Sequence, residues 1–176
     1  MSDPKLTKRT ELYAHTYLRV VEDRYDHEEE ELRYLVKEDP DFSVVGAVTE
    51  GGKVLMLRQF RPGPGRFCFD MPAGMIDPGD TALETAHKEL LEETGYVAAE
   101  MTLVAETYVS AYSTARKHIF LARGCTPIQA PEEEENVVAE PVLMDVEDFI
   151  ALVRAEPIID LDCALILADS LGHKLF

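Results

Sequence analysis

Three carboxylates are the residues of this chain whose types and spacing best suit chemistry. Glu89, Glu92 and Glu93 stand at helical i, i+3 and i+4 spacing, which places them on one face of a helix, within reach of a single point. Like charges at this spacing destabilise an isolated helix by roughly a few tenths of a kcal/mol per pair. We therefore expect a compensating hard divalent cation that prefers carboxylate oxygens. The alternative is a solvated acidic face.

The surrounding residues predict the element that positions these carboxylates. Pro78-Gly79 indicates a turn. Thr81, with Glu84 three residues later, forms a capping box that begins a helix. Gly95 follows where a helix end needs a residue that tolerates positive φ. The stripe expected to pack this helix on the core consists of Leu83, Ala86 or His87, and Leu90.

The segment 74–96 resembles the Nudix box, whose pattern is Gly, five residues, Glu, seven residues, then Arg-Glu-aliphatic-any-Glu-Glu-any-Gly and an aliphatic or aromatic residue. Two positions depart from it, since Asp80 stands where Glu is usual and Lys88 where Arg is usual. Asp retracts a carboxylate by one methylene, and Lys lacks the planar two-pronged contact of Arg. We expect a re-tuned site, with a non-catalytic relative as the alternative. The matching residues are Gly74, Glu89, Leu90, Glu92, Glu93, Gly95 and Tyr96.

Composition narrows the class of protein. The 176 residues, 46% of them hydrophobic, suit one domain with a sizeable core. Lys plus Arg 17 against Asp plus Glu 34 gives a net charge of −17, which disfavours nucleic acid and anionic membranes as partners. Cys68, Cys125 and Cys163 show no ligand spacing and are expected to be reduced thiols. With neither a signal peptide nor a membrane-spanning apolar run in view, we expect a cytoplasmic protein.

The order of the predicted elements indicates an α/β fold, with a mixed sheet and helices on its faces. Apolar and β-branched runs separated by turn signals predict the strands, and 3.6-residue periodicity predicts the helices. The predicted strands cover 17–25, 31–37, 42–49, 53–60, 66–71, 101–109, 117–122 and 137–144, and helices at 146–155 and 160–173 follow the box helix.

Two segments beside the box make the resemblance more specific. Leu57-Arg58-Gln59-Phe60-Arg61 and Met71-Pro72-Ala73-Gly74, with an acidic segment after the box, resemble the ADP-ribose pyrophosphatase branch of the Nudix hydrolases. This implies one domain over 1–176 with an α/β/α sandwich, and a homodimer whose N-terminal strands within 1–41 are exchanged or packed across the interface. It also implies hydrolysis of a diphosphate bridge, typically of ADP-ribose to AMP and ribose 5-phosphate.

The resemblance also implies roles for individual residues. Two or three Mg²⁺ ions, with Mn²⁺ as an alternative, would be held by the three box glutamates and the backbone carbonyl of Ala73. The general base would be Glu133 or Glu135, although a four-glutamate run is commonly just solvated and Glu89 is a competing base. Arg61 would contact substrate phosphates. Gly74, Asp80, Lys88 and Gly95 would support the box.

Several assignments stay open at this stage. Arg116 lies beside a polar stretch and could meet the diphosphate or make a surface ion pair. Ser110-Ala111-Tyr112 replaces a Ser-Pro-Gly turn common in ADP-ribose hydrolases, so GDP-mannose and UDP-sugars compete as substrates. Tyr108, Tyr112 and Phe60 could stack on a base, with core packing as the default. A dinucleotide or nucleoside triphosphate hydrolase and a non-catalytic ADP-ribose sensor compete with the nucleotide-sugar hydrolase as functions.

Overall fold

The computed structural model describes residues 2–15, 18–28, 30–132 and 137–175. Its contacts divide the chain into two compact units. The N-terminal unit comprises Met1–Asp41 and Thr107–Lys117, and the box unit comprises Phe42–Glu106 and His118–Phe176. The organisation of residues 1–176 as a single domain stays a prediction.

The N-terminal unit contains a three-stranded antiparallel sheet. Its strands are β1 (Lys5–His15), β2 (Leu18–His27) and β3 (Glu30–Lys37), in the order β1-β2-β3. The predicted strand at 31–37 is confirmed, and the one at 17–25 corresponds to β2. The sequence analysis missed β1, because side chains on both of its faces are exposed and its sequence shows no clear apolar alternation.

A carboxylate with almost no exposure anchors this sheet. Asp23 on β2 accepts two hydrogen bonds from Arg9 on β1, at 2.7 Å from Nε and 2.6 Å from Nη2. The Arg9 guanidinium also lies 2.9 Å from Glu38. These hydrogen bonds lower the pKa of Asp23. The two charge-assisted hydrogen bonds from Arg9 to Asp23 therefore hold β1 against β2, where few apolar side chains are buried.

The box unit is built on an eight-stranded sheet with the central order β11-β5-β4-β10-β8. The short strands β6 and β7 pair with β5 and β4, and β9 pairs with β10. In chain order the elements are β4 (Phe42–Thr49), β5 (Val54–Arg61), β6 (Arg66–Asp70), β7 (Ala73–Met75), α1 (Ala82–Thr94), β8 (Tyr96–Val97), β9 (Glu100–Tyr108), β10 (Arg116–Pro127), β11 (Ala139–Met144), α2 (Val146–Ala155) and α3 (Leu161–Ser170).

Side chains on both faces of this sheet are buried, because successive strand residues point to opposite sides. Val44 packs in a cluster with residues of α2 and α3, whereas its neighbour Val45 packs with α1. On β10, Ile119 likewise packs in the cluster with α2 and α3, and Phe120 packs in the cluster with α1. The box unit thus has helices on both faces of a mixed sheet, which confirms the predicted α/β/α layers.

The differences from the predicted elements are local. β7 and β8 were missed, since strands of three and two residues are too short to show a period. α3 ends at Ser170, earlier than the predicted 173. All three cysteines are buried and form no disulfide, and Cys163 lies in the core. None of the helices in the described part of the chain has the length and apolar character needed to cross a membrane.

Candidate active site

Local signals fix both ends of the box helix α1, as predicted. The backbone N–H of Glu84 donates to the Thr81 hydroxyl at 3.2 Å, and the Thr81 N–H donates to the Glu84 carboxylate at 2.8 Å. These bonds from Thr81 also lower the pKa of Glu84. At the other end Gly95 adopts φ 79° and donates its N–H to the Leu91 carbonyl at 2.7 Å. The reciprocal cap and the left-handed glycine determine where the helix begins and ends.

The inward face of α1 differs from the predicted stripe in its first turn. Ala86 and Leu90 are buried in the cluster that contains Val45. Leu83 is 44% exposed, so its place in the packing stripe was a wrong prediction. In the first turn it is Ala82 that packs against this cluster, and Thr85 is buried after it. The helix is also tied to β4, where the Ser43 hydroxyl donates to the Ala82 carbonyl at 2.7 Å.

Two box carboxylates meet the chain at β7. Glu93 accepts the backbone N–H of Ala73 at 2.8 Å. Glu89 lies directly over Gly74, where an added Cβ would stand 2.1 Å from Glu89 Oε1. The antiparallel pairing of β7 with β4 fixes the position of this segment. The close approach of Glu89 therefore requires glycine at position 74.

The three carboxylates do not gather around one point in this structure, and their joint role as metal ligands stays a prediction. Within the described ranges, no three acidic, histidine or cysteine side chains are placed to hold a metal ion. Glu92 lies near Lys88 and is the main cause of the raised pKa of that amine. The donors are nonetheless carboxylate and carbonyl oxygens, and Gly74 leaves space that the Glu89 carboxylate fills. This donor set fits a hard divalent cation.

Of the two box positions that depart from the family pattern, Asp80 lies in the exposed turn before α1, and Lys88 lies on α1 and reaches that turn. Lys88 Nζ lies 3.4 Å from a carboxylate oxygen of Asp77, and both side chains are solvent-exposed. The Asp80 N–H donates to the Asp77 carbonyl at 3.0 Å and closes the turn before the helix. An exposed Lys–Asp pair contributes little to stability. The supporting role of the Asp80 and Lys88 side chains in the box therefore stays a prediction.

The start of the acidic segment is hydrogen-bonded to the end of α1, a feature that the sequence analysis missed. The Glu132 N–H donates to the Glu92 carbonyl at 2.7 Å, and Ile128 and Gln129 donate to the Gly95 carbonyl at 2.9 and 3.4 Å. A Cβ on Gly95 would stand 2.1 Å from the Gln129 carbonyl oxygen. The only sequence signal for this contact was the helix-ending glycine itself.

Glu133 and Glu135, the predicted bases, lie outside the described residues. The chain just before them is nevertheless placed beside the C-terminal end of α1, through the hydrogen bond of the Glu132 N–H to the Glu92 carbonyl. A cavity of about 350 Å³ borders this region and includes Glu93. Its other lining residues come from both sides of the segment 133–136 and are Pro131, Glu132, Val137, Ala139, Glu140 and Pro141.

Arg61, the predicted phosphate ligand, is held along one edge. Its Nε donates to Asp70 Oδ2 at 2.5 Å and its Nη2 meets the same oxygen. Asp70 is fully buried, whereas the Arg61 side chain stays 32% exposed. Burial, followed by the nearby Asp160, raises the pKa of Asp70 to about 7 despite the arginine. Arg61 thus has one edge fixed and another open to solvent.

Arg116, the second basic candidate, belongs to the N-terminal unit. Its backbone N–H donates to Asp41 at 2.7 Å, and its guanidinium Nε lies 3.6 Å from the same carboxylate. Tyr112 closes the neighbouring turn, where its carbonyl accepts the Lys37 N–H at 2.8 Å. β3 therefore holds the turn that lacks the Ser-Pro-Gly sequence.

Three aromatic residues could stack on a base, and core packing was the default expectation for each. That expectation was wrong. Tyr108 and Tyr112 are 73% and 59% exposed, and Phe60 is 42% exposed. Phe60 makes an edge contact with Phe67, with ring centroids 5.8 Å apart. All three rings are therefore accessible to solvent.

Comparison with known proteins establishes the family. The NUDIX domain matches residues 37–160, which include the box helix, the Ala73–Gly74 segment and the acidic segment. This range is well over half of the chain. The chain therefore belongs to the Nudix family of hydrolases.

Several of the relatives found are enzymes named for ADP compounds. The ADP-ribose pyrophosphatase of Bacillus subtilis is 34% identical over 130 residues, which cover 73% of this chain and 70% of the relative. The ADP-sugar pyrophosphatase of Mus musculus is 46% identical over 43 residues, 24% of this chain and 20% of the relative. A crystal structure of an ADP compounds hydrolase superposes with a TM-score of 0.81 at 17% identity, covering 97% of this chain and 95% of the other, a likeness of fold.

Replacement of Gly74 by Ala should displace the Glu89 carboxylate and lower turnover by about 10²-fold, as expected when one group of a preorganised electrostatic site is lost. The backbone at Gly74 is not left-handed and the clash involves only the end of a flexible side chain, so the fold should persist. Initial rates and thermal melts measure the two effects. Gly63→Ala, which adds a Cβ with no atom within 4 Å, is the control. Unchanged rates for Gly74→Ala would show that the position of Glu89 is unimportant.

Proposed function

We propose that this Nudix hydrolase cleaves the diphosphate bridge of a nucleoside diphosphate sugar in a Mg²⁺-dependent reaction, with ADP-ribose as the first candidate and AMP and ribose 5-phosphate as products. The observation that carries the proposal is the meeting of Glu89 and Glu93 with the Ala73–Gly74 segment, beside a cavity that includes Glu93. Similarity to an ADP-ribose pyrophosphatase over 73% of the chain supports the choice of substrate.

In this proposal the carboxylates of Glu89, Glu92 and Glu93, with the Ala73 carbonyl, hold the cation. When bound, Mg²⁺ neutralises charge on a diphosphate and lowers the pKa of a coordinated water. Catalysis of phosphoryl transfer depends mainly on such neutralisation and on positioning. The protein contributes the close contacts at Gly74 and Ala73, which position the carboxylates of Glu89 and Glu93.

Arg61 and the acidic segment supply the remaining roles. The exposed edge of Arg61 would donate to a phosphate, and Asp70 limits the motion of the guanidinium. Glu133 or Glu135 would take the proton of the attacking water, with Glu89 as the competing base. The hydrogen bond of Glu132 to Glu92 supports this choice, because it brings the chain before Glu133 to the box helix.

A substrate panel tests the proposal. Purified protein is incubated with Mg²⁺ and, separately, ADP-ribose, GDP-mannose, a UDP-sugar, a dinucleoside polyphosphate and a nucleoside triphosphate, and products are separated by ion-exchange chromatography. We expect AMP and ribose 5-phosphate from ADP-ribose, with no product when EDTA replaces Mg²⁺. Preferential cleavage of the triphosphate or dinucleotide would assign another Nudix substrate class. Tight ADP-ribose binding without turnover would indicate a sensor.

We also infer that the chain is a homodimer through its N-terminal sheet. A three-stranded sheet with side chains exposed on both faces is marginal in water. Leu12 on β1 and Leu35 on β3 are each more than half exposed, and such patches mark association surfaces. Light scattering should give twice the chain mass for the wild type and the chain mass for Leu35→Glu. Leu103→Glu, at an exposed leucine of β9, should stay dimeric, and a monomeric wild type would contradict the inference.

A further inference from the structure

Two buried carboxyl groups face each other behind Arg61. Asp70, at the end of β6, is fully buried, and Asp160, which precedes α3, is 6% exposed. Asp70 uses Oδ2 to accept both hydrogen bonds from Arg61. Its other oxygen, Oδ1, is buried and receives no donor from the residues that the structure describes. Besides Arg61, the group within hydrogen-bonding reach of Asp70 is the carboxyl of Asp160.

Two ionised carboxylates cannot satisfy such a contact, because each oxygen only accepts hydrogen bonds. The charged groups acting on Asp70 are Arg61 from β5 and Asp160 from the start of α3, so one cation faces two acids. A second buried negative charge would have no partner, which is costly. One proton between the carboxyls converts the contact into a hydrogen bond and leaves a single charge for Arg61 to match.

We propose that Asp160 is a positioning residue for diphosphate binding, which holds a shared proton against Asp70 and so keeps Arg61 available to a substrate phosphate. The proposal rests on the proposed function at one point, the contact of Arg61 with the diphosphate. Asp160 itself contacts Asp70 and acts on the substrate only through Arg61.

The charge count predicts a pH dependence of binding. With the proton present, the charges of Arg61 and the two aspartates sum to zero, and Arg61 can attract a phosphate. Loss of the proton makes the cluster negative, which holds Arg61 on Asp70 and repels the substrate. The pKa of Asp70 is raised to about 7, first by burial and then by Asp160. The Michaelis constant should therefore rise as the pH increases through neutrality, while kcat changes little.

The first test needs no turnover. Infrared difference spectroscopy detects the carbonyl stretch of a protonated carboxylic acid apart from carboxylate bands. We expect such a band in the wild type at slightly acidic pH, its loss in mildly alkaline buffer, and its absence from Asp160→Asn, in which the amide N–H₂ donates to Asp70 without a shared proton. Asp169→Asn, an exposed change on the same helix, should keep the band. No such band in the wild type would overturn the proposal.

Stability against pH gives a second measurement. A carboxyl whose pKa is raised on folding contributes stability that is present below its unfolded value and lost as the pH rises through its folded value, here about 7. Wild type and Asp169→Asn should therefore lose melting temperature between mildly acidic and neutral pH. Asp160→Asn should lose less, and Asn is as suitable as Asp at a helix N-cap, so the variant should fold.

The kinetic test compares the same proteins with ADP-ribose and saturating Mg²⁺. The Michaelis constant of the wild type and of Asp169→Asn should rise several-fold over one pH unit above neutrality, whereas that of Asp160→Asn should stay flat at similar kcat. An equal rise of the Michaelis constant in Asp160→Asn would overturn the positioning role of Asp160. Absence of turnover in all three proteins would instead contradict the proposed function, and the infrared band would still decide whether the proton is shared.

Discussion

Glu93→Gln is expected to reduce Mg²⁺-dependent turnover by about 10²–10³-fold, the usual effect of removing one preorganised electrostatic group, and to leave the fold intact. Glu93 has one role in the structure, the hydrogen bond to Ala73, and a second role as a metal ligand that we propose. One carboxylate oxygen accepts the Ala73 N–H at 2.8 Å, and the carboxamide oxygen of Gln can accept the same bond. The substitution removes only the negative charge that a cation requires. Initial rates with ADP-ribose and thermal melts measure the two roles separately.

The matched control for this prediction is Glu100→Gln, the same chemical change at an exposed residue of β9. It should leave both rate and melting temperature unchanged. Raising the Mg²⁺ concentration should partly restore Glu93→Gln, because the loss is expected in metal affinity as well as in rate. Near-normal rates for Glu93→Gln at low Mg²⁺ would contradict the assignment of this residue as a metal ligand.

Gly95→Ala is expected to destabilise the protein by about 3 kcal/mol, from a left-handed residue with a Cβ and the loss of two backbone hydrogen bonds. Gly95 has φ 79°, and an added Cβ would stand 2.1 Å from the carbonyl oxygen of Gln129. A backbone atom cannot move aside as a side-chain end can. The segment that includes Ile128 and Gln129 must therefore shift, and turnover should fall with it. Denaturant unfolding measures the stability.

Gly52→Ala separates the cost of a left-handed backbone from the cost of the clash with Gln129. Gly52 has the same φ of 79°, but no atom lies within 4 Å of an added Cβ. This control carries the conformational cost alone, about 1 kcal/mol, and should retain full activity. Equal destabilisation by the two substitutions would show that the contact between Gly95 and Gln129 contributes nothing.

The sequence predicted best those features whose causes lie within a few residues. The cap formed by Thr81 and Glu84 and the left-handed Gly95 delimit α1 without help from the rest of the chain. Strands β4 and β5 were recognised because their apolar runs are buried on both faces. β1 was missed because its side chains are largely exposed, so that its pairing, rather than its pattern, defines it.

The site shows the same division between local and distant causes. Spacing on one helix predicted a common face for Glu89 and Glu93, and both meet the segment at Gly74. No local pattern connects Asp70 with Asp160, since strand pairing and helix packing bring them together from distant parts of the chain. The gathering of all three glutamates around a cation was predicted from spacing alone and stays a prediction, and in this structure Glu92 lies near Lys88.

The hydrogen bonds at the end of α1 have a consequence for local unfolding. Gly95 caps the helix through its N–H and holds Ile128 and Gln129 through its carbonyl, while the Glu92 carbonyl holds Glu132. Fraying of the last helical turn would break all of these bonds together, so the two segments should open as one cooperative unit. The amide protons of Gly95 and Glu132 should then exchange with deuterium at matched rates, even though the chain between them is long.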